Sequence, residues 1–82
     1  MSGRHGGHLV EWIEADGFGE IQPSGGGMGR LGVYREELVR AGMMPPKIGD
    51  MVTFEVGVTH KGITGAVNVE RVVPAVRLGV VR

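Results

Sequence analysis

Glu11-Trp12-Ile13-Glu14-Ala15-Asp16-Gly17-Phe18-Gly19-Glu20-Ile21 is the stretch on which the reading of this chain turns. From His8 to Glu14, β-forming residues are broken by polar ones, and Asp16-Gly17 supplies a turn signal. Phe18 to Gln22 follows at hairpin distance and stops at Pro23, which has no N–H to give a strand ladder. Ser24-Gly25-Gly26-Gly27-Met28-Gly29 then reads as loop. The spacing predicts an antiparallel hairpin of the first two strands.

Working outward, Arg30-Leu31-Gly32-Val33-Tyr34 is a short third strand. Arg35 to Ala41 has helix formers, early acids and a late Arg before Gly42, which predicts one or two helical turns. Pro45-Pro46 forces an extended linker. Asp50 to Val58 alternates with period two, which places Met51, Thr53 and Glu55 on one face. Val52, Phe54 and Val56 on the other face are the expected core. After a loop around Thr59 to Gly62, the segment Ile63 to Val73 reads as a fifth strand, ended by Pro74.

A chain of 82 residues holds one domain and one core. The pattern divides it into a flexible start (1–7), the domain (8–73) and a C-terminal extension (74–82). Glycine is 16 of the 82 residues while apolar residues are 41%, the mark of a turn-rich fold and not of a disordered tract. With no cysteine, neither disulfides nor a thiolate zinc site can add stability. No apolar run reaches the roughly 20 residues of a membrane helix, and Met1 to His8 lacks the apolar stretch of a signal peptide. A cytoplasmic protein without a membrane partner is expected.

Five short strands with one helical connection between the third and fourth suit an all-β fold, a small antiparallel Greek-key barrel. Closure of such a barrel removes the sheet edges that would otherwise pair between molecules. Pattern by itself leaves an open sandwich equally available.

The order of local motifs favours the barrel. Glu11 to Ile21 resembles the opening of cold-shock domains, Lys-Trp-Phe-Asn-x-x-Lys-Gly-Phe-Gly-Phe-Ile, with one residue fewer before Gly-Phe-Gly. Ile48-Gly49-Asp50-Met51-Val52-Thr53-Phe54-Glu55-Val56 resembles the family's Gly-x-x-Val-x-Phe-Glu-Val strand, and Gly65-Ala66-Val67-Asn68-Val69 its Gln-Ala-x-Asn-Val ending. The resemblance spans about residues 8 to 73 and implies a five-stranded OB-fold barrel. It also implies binding of single-stranded DNA or RNA by stacking bases on aromatic side chains, a sequence-tolerant interaction of about 1–3 kcal/mol per base.

On that resemblance Trp12, Phe18 and Tyr34 are the stacking residues, and Arg35 and Lys61 the phosphate contacts. For Trp12 the plainer alternative is a half-buried strand residue anchoring the barrel. The chain departs from the family where Glu20 stands for a second Phe, Gly32 for another, and Glu11 for the Lys before the Trp. Loss of stacking groups and added carboxylates predict weaker or shorter binding than an ordinary member shows.

Nine basic and nine acidic residues give a formal charge of zero, whereas phosphate-gripping proteins usually carry a basic excess. The charge is segregated: Glu11, Glu14, Asp16 and Glu20 crowd the first quarter, while the last twelve residues carry Arg71, Arg77 and Arg82 and no acid. His5, His8 and His60 have no spacing that suits a metal. The Gly25 to Gly29 tract lacks the Lys-Ser/Thr sequel of a phosphate cradle. No acid/base or nucleophile constellation points to catalysis, so neither enzyme activity nor a cofactor is expected. The expectation is a non-catalytic single-stranded nucleic-acid-binding module. Its alternative is a protein-interaction module that has kept the barrel and uses the altered face or the tail, residues 74–82, to hold a polypeptide.

Overall fold

The computed structural model describes residues 3–25 and 27–72. Five strands and one short helix follow in the order β1 (His5–Ile13), β2 (Phe18–Pro23), β3 (Leu31–Tyr34), α1 (Arg35–Arg40), β4 (Met51–Val58) and β5 (Thr64–Arg71). All strands belong to one antiparallel sheet, ordered β3-β2-β1-β4-β5. The all-β expectation and the position of the helical turn hold. The extension at 74–82 lies outside the described residues. Among the described residues, no helix is long and apolar enough to cross a membrane.

β1 is the centre of the sheet, because it pairs with β2 along most of its length and with β4 through His5 to His8. The change of partner is made at a bulge between Leu9 and Glu11. There Leu9 N–H donates to Asp50 O at 2.9 Å, and Gly49 N–H donates to Leu9 O at 2.8 Å. A bulge adds local twist and bends the strand, which lets one strand serve two neighbours at different angles.

Three features differ from the sequence reading. First, His5-Gly6-Gly7, expected to be a flexible start, belongs to β1. These residues carry no β-propensity of their own; they are held by the β4 ladder and by Arg4, whose Nη2 donates to Thr53 Oγ1 and Asn68 O, both at 2.8 Å. Second, Val56 is 42% exposed whereas Val52 and Phe54 are 1% and 0% exposed. The β4–β5 register shifts between Thr53 and Glu55, with Asn68 at φ 51, so a strict period of two ceases to describe burial past that point.

Third, the ladder is not closed: β3 and β5 are the outer strands and no hydrogen-bonded pairing joins them. They do approach, since a methyl group on Gly65 would lie 2.7 Å from the Gly32 carbonyl oxygen. β3 is only four residues long before the chain turns into α1, too short to lace an eight-residue neighbour along its length.

The core comprises Leu9, Ile21, Val33, Leu38, Met43, Val52, Phe54, Ala66 and Val69. α1 contributes Leu38 and is placed by its first residue, since Arg35 N–H donates to Gly17 O at 2.9 Å across to the β1–β2 turn. Acids Glu36 and Glu37 in its first turn and Arg40 in its last complement the helix dipole.

Candidate nucleic-acid interface

Directly opposed residues of an antiparallel sheet share a face, so the register sorts the predicted site residues. Ile13 opposes Phe18, and Phe18 opposes Tyr34. Glu11 opposes Glu20, which opposes Gly32. These residues form the outer face. Trp12 opposes Gly19, which opposes the fully buried Val33, so Trp12 lies on the core side of the same strands.

Phe18 and Tyr34 meet with ring centroids 5.0 Å apart, tilted by 55°. His60 extends the row: its ring stands edge-on to Tyr34 at 5.0 Å and 80°. The sequence reading weighed His60 only as a metal ligand and missed this role. It comes from the β4–β5 loop, which the buried Thr59 closes by donating from Oγ1 to Ile63 O at 2.9 Å. No local signal could have found it, because Tyr34 and His60 meet only when β5 returns to the far side of the sheet.

Gly32 also acquires a meaning here. A methyl group on it would sit 2.8 Å from Phe18 Cε1, so the Phe18 ring lies across the glycine. The absence of a side chain at this position gives the Phe18 ring its space beside Tyr34.

Trp12 and Arg35 form a second group, apart from that row. The Trp12 ring covers Gly19, where a methyl group would lie 2.7 Å from Cε3, and it packs against the core. Its indole N–H donates to Glu14 Oε1 at 2.9 Å. Arg35 stacks over the ring, with Cζ 5.7 Å from the centroid, and its Nη2 donates to Glu14 O at 2.8 Å and stands 3.0 Å from Glu14 Oε2. A phosphate would have to compete with Glu14 for this guanidinium. The plainer reading of Trp12, an anchor of the strand, accounts for its surroundings better than an open stacking platform does.

The Trp12 indole hydrogen bond, and then that of Arg35, hold the Glu14 carboxyl below its ordinary value of 4.5. A lowered folded-state value makes these contacts stabilising above the ordinary carboxylate range and lost as pH falls through the lowered value. Acidification should therefore change Trp12 emission with a midpoint below 4.5, and Arg35→Ala should move that midpoint upward. A midpoint at or above 4.5 in the unsubstituted protein would show that the indole–carboxylate bond does not persist in solution.

Around the outer row the charges are mixed. Glu20 is held by Arg30 at 3.5 Å, and Glu36 Oε1 stands 3.7 Å from His60 Nε2. Lys61 is exposed beside His60, and among the described residues its ammonium forms no ion pair. Of the predicted residues, the fold thus brings together Phe18, Tyr34 and Lys61, and sets Trp12 and Arg35 apart with Glu14. No family model matches the chain, and no curated protein matches it.

Proposed function

We propose that the chain is a non-catalytic module that holds short single-stranded DNA or RNA by stacking bases on Phe18, Tyr34 and His60. The observation that carries this reading is the row of three rings on the outer face, two half-buried and His60 exposed, at successive separations of 5.0 Å. Bases stack on such rings whatever their identity. The strand order, with β1 shared between β2 and β4 and the β3 and β5 edges close at Gly32 and Gly65, supports a cold-shock-like OB-fold, the Greek-key arrangement in which this face binds nucleic acid. Lys61 is the rim cation available to a phosphate.

Binding by this face is weak and short. Three rings serve two or three bases, and Glu11 opposite Glu20 repels phosphate. Calorimetric titration with oligothymidine and with a mixed RNA at several salt concentrations tests it. The slope of log affinity against log salt is expected to match about one or two phosphates, at about −0.7 each for single strands, and Lys61→Ala should flatten it. Absence of heat at low salt would overturn the proposal in favour of a polypeptide partner, the reading that the opposed Glu11 and Glu20 favour.

A further inference from the structure

Between the start of α1 and the β4–β5 loop lies a cleft of about 130 Å³, continuous with the ring row at Tyr34. Tyr34 and His60 wall it, and Asp16, Arg35, Glu36 and Lys61 surround it. Its volume is close to that of cavities that admit a single small ring. Its carboxylates and the cation left unengaged by Glu14 lie in separate places. The carboxylates come from the β1–β2 turn and from α1, and the ammonium from the β4–β5 loop.

Those carboxylates are available to a ligand. Glu36 Oε1 is beyond hydrogen-bond distance of His60 Nε2, at 3.7 Å, so it keeps its lone pairs. Asp16 is exposed, and its carboxylate has no partner among the described residues. Arg35, which also lines the cleft, is taken up by Glu14.

Resting on the nucleic-acid reading above, we infer that this cleft takes one base and selects an edge that presents hydrogen-bond donors, guanine foremost, over thymine or uracil. An ionised carboxylate only accepts hydrogen bonds. Guanine presents N1–H and the 2-amino group side by side, a pair that fits the two oxygens of one carboxylate. Adenine and cytosine offer a single amino group. Thymine and uracil flank their one N–H with two carbonyl oxygens, which repel the acid. Lys61 at the mouth meets the phosphate next to the captured base. The carboxylates that weaken phosphate binding elsewhere thus read the base here. A cationic side chain would also suit carboxylates beside an aromatic ring, but Lys61 opposes it and the continuity with Phe18 and Tyr34 favours a stacked base.

The test compares three short oligothymidines that carry thymine, guanine or hypoxanthine at one central position. Each is titrated into the full chain by calorimetry and by amide chemical shifts. Guanine is expected to bind about tenfold more tightly than thymine, the lower range for a bidentate base contact at an open rim. Hypoxanthine, which lacks the 2-amino group, should fall most of the way back. The variant Asp16→Asn with Glu36→Gln, both at exposed positions, should abolish the preference while thymine binding is kept or improved. Equal affinity for guanine and thymine, with shifts at Phe18 and Tyr34, would overturn the base selection and leave the stacking face standing. Failure of every oligonucleotide would overturn both. An oligo-arginine peptide that shifts the cleft residues where no oligonucleotide does would assign the cleft to a cationic partner instead.

Discussion

Phe54→Ala is expected to lower stability by about 3–5 kcal/mol, the usual cost of emptying a fully buried aromatic site. Phe54 has no exposed surface and belongs to the buried cluster of both sheet halves; the His5 ring lies 5.8 Å away on the neighbouring strand. A domain of this size has a total stability of about 4–12 kcal/mol, so the variant loses a large part of it. Thermal denaturation should show a fall of about 15–30 °C, or no folded baseline at all. The informative control is Val56→Ala. The alternation of β4 puts Val56 on the same face as Phe54, yet the shifted register leaves it 42% exposed, and its truncation should cost no more than about 1 kcal/mol. Similar losses at both positions would mean that β4 is paired in the unshifted register.

The second large effect is on binding. Phe18→Ala and Tyr34→Ala should each weaken single-stranded nucleic acid by about 1–3 kcal/mol, roughly 5- to 150-fold, because each removes one stacking surface. Both side chains are only half-buried on the outer face, so the folded state should survive. Trp12→Ala should behave in the opposite way. Its ring lies over Gly19 on the core side and joins Glu14 and Arg35, so its removal lowers stability while the folded variant keeps its affinity. Were Trp12→Ala to abolish binding at unchanged stability, with Phe18→Ala silent, the ring row would be the wrong surface. Trp12 fluorescence should accordingly report the state of Glu14 more directly than occupancy of the outer face.

Local chemistry already determined most of the element list. Asp16-Gly17 and Pro23 bounded the first hairpin, Gly42 stopped the helix, and the alternation in β4 identified Val52 and Phe54 as core, because turn preference and side-chain period act within a few residues. Those signals also put Phe18 and Tyr34 on strands able to present them. What only the tertiary structure decided is which residues share a face and where strands change partners. The bulge at Leu9 to Glu11 turned Trp12 toward the core side, and the β4 ladder recruited His5 to Gly7 into a strand for which they have no propensity. The return of β5 brought His60 to Tyr34, and the brevity of β3 left the ladder open where closure was expected. Each of these depends on pairing between residues far apart in the chain. A one-residue slip in such pairing exchanges the two faces of a strand without altering a single local preference.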